Sequence, residues 1–180
     1  MASSAAQHVR EAADQQGLTR DALTAYVATE YGRLIGVASL VCRGAAEPAD
    51  VVQSALEQAW RHRNDLRDRD RLRPWLDRIV VRQAIRSNRP LGWLRTRRPA
   101  LDADLEMLPS GEPEPSAWLA LRSALDSLSR EQRAVVALHL YAGYSIEETA
   151  TLTGAGTETT RSRLRLAKQR LRRTITEDER

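Results

Sequence analysis

The 180-residue sequence has no phenylalanine, a single cysteine and, among its 28 basic residues, only one lysine. One cysteine excludes an internal disulfide framework. Cys42 adjoins an apolar run, which favours a small buried side chain over a reactive thiol. Aromatic and β-branched runs are scarce, and glycine and proline concentrate in one stretch. The composition therefore favours an all-α fold.

Long hydrophobic segments are also missing. The longest uncharged apolar run, residues 34–42, has nine residues and is too short to span a bilayer. Residues 1–17 are polar, and Arg10, Glu11 and Asp14 interrupt any apolar stretch that an export signal would need. The sequence predicts a soluble cytoplasmic protein with no membrane insertion.

The charge is distributed unevenly along the chain, although the net charge is only +4. Residues 61–98 carry thirteen arginines and four aspartates, and residues 161–173 carry seven basic residues and no acidic one. Between these blocks, residues 99–118 hold five acidic residues and no basic one. Two cationic blocks separated by an anionic spacer indicate a polyanionic partner, or else two solvated charged faces.

Helical periodicity divides the chain into two modules. Thr19 is placed to cap a first helix, Pro48 suits the first turn of the next, and Pro74 is expected to open a third. Prolines and acidic residues between the modules indicate an extended linker. The predicted boundaries are a poorly ordered extension at 1–17, a first module at 18–89, a linker at 90–117, a second module at 118–176 and a tail at 177–180.

The second module contains a helix-turn-helix pattern. Ser145 and Glu148 have capping-box spacing, Ala150 is small enough for a close helix crossing, and Gly154 suits a turn with positive φ. The next helix is expected to bury a stripe made of Thr160, Leu164, Ala167 and Leu171. Its other face is cationic, which favours DNA binding; an exposed structural helix is the alternative.

Catalytic and metal-binding patterns are not found. His8, His62 and His139 have no metal-ligand spacing with one another or with Cys42. The sequence has no glycine-rich phosphate loop and no Gly-x-Ser-x-Gly elbow. We therefore expect no metal, no cofactor and no enzymatic activity.

Three segments, in the same order, resemble bacterial sigma factors of the sigma-70 family. PADVVQSALEQAW at residues 48–60 resembles the family's AEDLVQE-x-F-x-x-x-W stretch, and WLDRIV at residues 75–80 resembles its WL-x-x-I-A segment. Residues 124–173 resemble its LP-x-x-x-R-x-V…G-x-S-x-E-E-I-A…L-G…V-K-S-R-L-x-R-A region. The resemblance is to the small extracytoplasmic-function (ECF) group, which keeps only regions 2 and 4 joined by a linker, and it covers roughly residues 20–175.

The resemblance implies a fold of two small helical domains, a region 2 bundle and a region 4 helix-turn-helix. It implies binding to the clamp helices and flap of core RNA polymerase, to promoter DNA and to an anti-sigma factor. The polymerase-facing residues would be Asp50, Gln53, Glu57 and Trp60, with Trp60 either in the core or at this contact. The −10 element would be bound and melted by Arg61, Arg63, Asn64, Arg67, Arg71, Arg73, Trp75, Arg78, Arg82 and Arg86. The −35 element would be read by Thr157, Glu158, Thr159, Arg161, Ser162, Arg163, Arg165 and Lys168.

Some positions depart from the family pattern. Arg82 stands where asparagine is common and Arg86 where aspartate is common, which adds charge but changes the usual melting contacts. Thr160 replaces a usual valine and brings a hydroxyl that must be satisfied. The alternative function is a helix-turn-helix regulator that binds DNA without acting as a polymerase subunit.

Overall fold

A computed structural model describes residues 18–42, 46–87 and 123–178, with side chains up to residue 173. The N-terminal module comprises helices α1 (Arg20–Val41), α2 (Pro48–Arg61) and α3 (Leu72–Ser87), with short 3₁₀ turns at Arg63–Asp65 and Arg69–Arg71. The C-terminal module comprises α4 (Arg130–Val136), its π-helical continuation Ala137–Tyr141, α5 (Ile146–Thr153) and α6 (Thr157–Asp178). These ranges contain no β-strand, which confirms the all-α prediction.

The helices of the N-terminal module begin close to where the sequence predicts. The Thr19 hydroxyl accepts a hydrogen bond from the Ala22 amide at 3.3 Å, and Pro48 occupies the first turn of α2. The prediction that Pro74 opens the third helix was wrong, because α3 begins at Leu72. Proline is tolerated there because amides of the first turn have no intrahelical acceptor to lose.

Reciprocal side-chain caps start two helices of the C-terminal module. Ser129 and Gln132 form a capping box at α4, and Ser145 and Glu148 form another at α5. The helix that continues from α4 ends at Tyr141, and Gly143 two residues later has a φ of +79°, which suits a residue without a side chain. These local features confirm the predicted boundaries of the helix-turn-helix.

One apolar cluster runs through both modules. Leu34, Val52 and Leu76 are fully buried where α1, α2 and α3 meet. Leu138 and Ala142, from the C-terminal module, belong to the same cluster, because α4 and its π-helical continuation pack on α1 while α5 packs on α3. A smaller cluster of Leu128, Val136 and Ala167 holds α6 to its own module. The two modules are therefore in direct contact.

Cys42 is buried at the end of α1, as predicted, and burial raises the pKa of its thiol to about 11. Within the ranges given above, no helix is long and apolar enough to cross a membrane. The predicted extension at 1–17 and the linker at 90–117 lie outside the described residues, as do residues 118–122 of the second predicted module.

Candidate nucleic-acid and polymerase interfaces

The turn between α5 and α6 has the geometry of a helix-turn-helix. Gly154 caps α5 in the left-handed region with φ +70°, and Ala150 is buried. The Thr160 hydroxyl donates to the Gly156 carbonyl at 3.1 Å, so the polar group introduced at this fully buried position is satisfied. Leu164 and Ala167 continue the buried stripe, as predicted, whereas Leu171, its last predicted member, is only half-buried. Packing of this stripe turns the opposite face of α6 to solvent.

The predicted −35 residues lie together on the first twelve positions of α6. Five of the eight are exposed: Glu158, Thr159, Arg161, Ser162 and Arg165. The remaining three, Thr157, Arg163 and Lys168, are half-buried. The structure thus brings the whole set onto one accessible helix segment, as a helix in a major groove requires.

Arg161 lies between two carboxylates on this surface. It donates to Glu158, three residues earlier in α6, and to Glu147 of α5 at 3.3 Å. All three side chains are more than half exposed, so the ion pairs are worth at most about 1 kcal/mol each. The two carboxylates orient the Arg161 guanidinium. Because these ion pairs are weak, Arg161 can exchange them for contacts with a polyanion.

An open groove of about 590 Å³ runs beside the same segment of α6. Ile146 and Leu164 supply apolar contacts, and the cations along it are Arg161, Arg165, Lys168 and Arg172. No acidic residue lines it within the described part of the chain. A surface of this kind attracts phosphates and accommodates apolar base and sugar edges.

A second cationic row lies on α3, where Arg78, Arg82 and Arg86 follow one another at four-residue spacing. Partial desolvation lowers the pKa of Arg82, and the charges of Arg78 and Arg86 lower it further. No carboxylate of the described ranges pairs with this row. The three positive charges repel one another, and binding of a polyanion relieves this repulsion.

The other predicted −10 residues fall into three groups. Four are exposed: Arg61 at the end of α2, and Asn64, Arg67 and Arg71 on the loop between α2 and α3. Arg63 is half-buried, and Trp75 is half-buried against the apolar core. Arg73 is also exposed, but it donates to the carbonyl of Ala142 at 2.7 Å and lies over the Tyr144 ring. The structure therefore assembles most of the predicted set and diverts Arg73 to the C-terminal module.

The predicted polymerase-facing residues share one side of α2. Asp50, Gln53 and Glu57 are exposed at spacings of three and four residues, and the Gln53 amide lies 3.5 Å from a Glu57 oxygen. Trp60 is half-buried, with the guanidinium groups of Arg63 at 4.4 Å and Arg20 at 5.5 Å from its ring centroid. Trp60 thus packs on the core and is also covered by cations.

Sequence reasoning missed a buried polar site between the modules. Asp77 is fully buried and accepts two hydrogen bonds from Arg33, at 2.8 and 3.0 Å, and one from the Tyr144 hydroxyl at 2.7 Å. Burial and the Asp77 charge raise the pKa of Tyr144, so its hydroxyl remains a donor. The sequence signal for this site was helical spacing: Asp77 lies four and seven residues before the apolar Val81 and Ala84, which places an acid on a buried helix face.

A cationic helix-turn-helix packed beside a helical module with its own cationic row is typical of a DNA-binding protein. Two family models match the chain: "Sigma-70 region 2" over residues 26–97 and "Sigma-70, region 4" over residues 118–171. Part of each match falls outside the described residues, but each includes the helices discussed above.

Named relatives agree with these matches. ECF RNA polymerase sigma factor SigL of Mycobacterium tuberculosis is 34% identical over 143 residues, covering 74% of this chain and 77% of SigL. RNA polymerase sigma factor SigV of Bacillus subtilis is 27% identical over 130 residues, covering 72% of this chain and 76% of SigV.

Two solved structures share the fold. CnrH, in complex with the cytosolic domain of CnrY, superposes with a TM-score of 0.65 at 27% identity, covering 89% of this chain and 91% of CnrH. The sigma factor RpoE of Bartonella quintana, in complex with the anti-sigma factor NepR, superposes with a TM-score of 0.63 at 21% identity, covering 85% of this chain and 96% of RpoE.

The chain belongs to the sigma-70 family, in its ECF group. It is a sigma factor that directs RNA polymerase core to promoters, and the alternative of a regulator independent of polymerase is not favoured. Members of this family are regulatory subunits rather than enzymes.

Proposed function

We propose that this sigma factor binds core polymerase through α2, reads −35 duplex through the start of α6 and captures −10 DNA through α3 and the loop before it. It works in the cytoplasm and has no catalytic activity of its own. The observation that carries the proposal is the exposed cationic face of α6, opposite the buried stripe that begins at Thr160.

For the −35 element, we assign base contacts to the N-terminal part of α6. Arg161 and Arg165 are exposed one turn apart, within reach of guanine edges or phosphates in a major groove. Glu158 is an acceptor suited to the amino group of cytosine. Lys168, farther along and half-buried, is assigned to the DNA backbone.

For the −10 element, we assign single-stranded DNA to the row of Arg78, Arg82 and Arg86. A melted strand needs a cationic track and planar groups on which bases can stack. The arginine row supplies the cationic track. Trp75 and the stack of Arg63 on Trp60 supply candidate planar groups for the bases. In this chain, melting therefore depends on guanidinium groups at positions 82 and 86 instead of the asparagine and aspartate common in the family.

For polymerase binding, we assign the clamp helices to Asp50, Gln53 and Glu57, the exposed polar side of α2, and the flap to the C-terminal module. An anti-sigma partner is also proposed. Both similar structures described above are complexes, one of CnrH with the cytosolic domain of CnrY and one of RpoE with the anti-sigma factor NepR.

Capture of the chain by immobilised core polymerase tests this assignment. The variant Asp50→Ala/Gln53→Ala is expected to lose most of the binding. The control Asp21→Ala/Thr29→Ala removes an exposed acid and an exposed hydroxyl on α1, and should bind normally. If the double variant Asp50→Ala/Gln53→Ala binds core polymerase as well as the wild type does, α2 is not the docking surface. That result would favour the alternative function, a regulator that binds DNA without acting as a polymerase subunit.

A further inference from the structure

The ion pair between Glu147 and Arg161 joins the two helices of the helix-turn-helix. Oε1 of Glu147, in the first turn of α5, lies 3.3 Å from Nη2 of Arg161, which is 14 residues further along the chain on α6. Glu158, the second partner of Arg161, is on α6 itself, three residues before it. A carboxylate on α6 moves with that helix, whereas a carboxylate on α5 fixes the guanidinium relative to the rest of the module. Glu147 is therefore the partner that can set the direction in which Arg161 points.

Both members of this pair project from well-fixed backbone. At the start of α5, the Ser145 amide donates to the Glu148 side chain at 2.8 Å, and the Glu148 amide donates to the Ser145 hydroxyl at 3.1 Å. On α6, Thr160 is fully buried beside Arg161. The negative charge of Glu147 is also favoured by the dipole of α5, because it lies at the N-terminal end of that helix. Only side-chain torsions remain to be fixed, so even a weak ion pair biases the orientation of Arg161.

The Arg161 guanidinium has donors left while both carboxylates are bound. Arginine has five N–H donors, and the two ion pairs use one on Nη1 and one on Nη2. Three donors remain, which is enough for the two acceptors, O6 and N7, that guanine presents in the major groove. Arg161 can therefore contact a base edge while Glu147 stays in place.

A backbone phosphate is a different kind of partner for Arg161. Contact with a phosphate brings an anion toward Glu147 and Glu158 and requires Arg161 to exchange a carboxylate for it, whereas a neutral guanine edge requires neither. Farther along α6, Arg165 and Lys168 line the groove, and within the described residues no acid lines it beside them. The module thus attracts phosphates along the groove and favours a base edge at Arg161.

We propose that Glu147 is a positioning residue for −35 recognition, which holds Arg161 toward a base edge and disfavours its contact with backbone phosphates. This role rests on the proposed function of α6 in reading −35 duplex. It adds α5 to the reading machinery, because all the residues assigned to the −35 element above lie on α6. The expected effect of Glu147 is on selectivity between DNA sequences, not on the strength of binding.

Selection of DNA by the holoenzyme tests this role. Core polymerase with the full chain selects promoter fragments randomised across the −35 element, and sequencing gives the base preference at each position. Glu147→Gln keeps the shape of the side chain and removes its charge. It is expected to lower the preference by at least about threefold at the one position where Arg161→Ala also lowers it. Glu131→Gln is the matched control: it removes the same charge from the same module, where Glu131 pairs with Arg130 at 2.7 Å, and should leave every preference unchanged.

Two further measurements separate positioning from a merely structural role. Binding of the holoenzyme to a selected duplex and to a scrambled one is measured between about 50 and 200 mM salt. Glu147→Gln should bind the scrambled duplex more tightly than the wild type does, with a salt dependence steeper by about one phosphate contact, because Arg161 is then free to take a phosphate. In the Arg161→Ala background, Glu147→Gln should cause no further loss of preference, since it acts through Arg161.

The outcomes that contradict the positioning role differ from those that contradict the proposed function. A Glu147→Gln variant as selective as the wild type, with the same salt dependence, would overturn the positioning role and leave −35 reading by α6 intact. An equal loss of affinity for both duplexes, or a further loss of preference in the Arg161→Ala background, would overturn it as well. A wild-type holoenzyme that selects no −35 sequence would instead overturn the proposed function of α6, and the role of Glu147 with it.

Discussion

The hydroxyl of Tyr144 donates to Oδ2 of Asp77 across 2.7 Å, joining the loop before α5 to the middle of α3. Asp77 is fully buried and also bonds Arg33 through both of its oxygens. One carboxylate thus ties α1 to α3 inside the N-terminal module and ties that module to the C-terminal one. Asp77 therefore contributes both to the stability of the fold and to the arrangement of the two modules.

Asp77→Asn is expected to destabilise the protein by about 3 kcal/mol, because it removes the fully buried countercharge of Arg33, which then keeps only the partly exposed Glu30. Denaturant unfolding monitored by circular dichroism measures the loss. Asp65→Asn, a matched change at an exposed position, should stay within about 0.5 kcal/mol of the wild type. A loss as small as that of the control would show that the buried pair contributes little.

Gly154→Ala should lower the free energy of unfolding by about 1–2 kcal/mol, since φ there is +70° and a Cβ is strained in that region. Gly156→Ala is the matched comparison two residues away. It has no positive φ, and its nearest neighbour would be Thr159 Oγ1 at a relaxed 3.9 Å. Thermal melts should separate the two variants; equal melting temperatures would contradict the left-handed turn.

The Cys42 thiol should react slowly with alkylating reagents in the native protein. Burial raises its pKa from 9.0 to about 11, so at pH 8 the thiolate fraction falls about a hundredfold. The stabilisation from keeping the thiol neutral is present below pH 9 and is lost as the pH rises to about 11. Mass spectrometry of iodoacetamide-treated protein measures the rate, with denatured protein as the fast reference; equal rates would show an exposed thiol.

Arg161→Ala is expected to weaken binding of −35 duplex in the holoenzyme by about 1–3 kcal/mol if Arg161 contacts a base, and to relax selectivity at one position. Arg130→Ala removes an exposed arginine at the start of α4 and should leave binding unchanged. Competition with singly substituted duplexes is the measurement. A uniform loss across all duplexes would assign Arg161 to a phosphate instead.

Local chemistry explains which features of the fold can be predicted from sequence. The capping boxes at Ser129 and Ser145 and the turn at Gly154 depend on residues within a few positions of one another, and the structure confirms them. The start of α3 was missed by two residues, because proline is tolerated at several positions of a first turn. The π-helical stretch Ala137–Tyr141 has no signal in the apolar spacing.

The interface between the modules could not be predicted, because its partners are distant in sequence. Arg33 and Asp77 are 44 positions apart, and Asp77 and Tyr144 are 67 apart. Periodicity places Asp77 on a buried face but does not name the cation or the hydroxyl that satisfies it. Likewise, Arg73 looks like one more loop cation in the sequence, and only the fold shows it bound to Ala142. The residues assigned to DNA and polymerase remain predictions, although the structure brings most of them onto accessible faces.

The most direct test of the central claim is transcription by core polymerase on a genomic DNA library with the purified chain added, followed by mapping of the 5′ ends. The account predicts new start sites that depend on the chain and share one −35 and one −10 element. It also predicts that Asp50→Ala/Gln53→Ala abolishes them. Absence of any chain-dependent start site, or starts without a shared pair of elements, would contradict promoter selection by this protein.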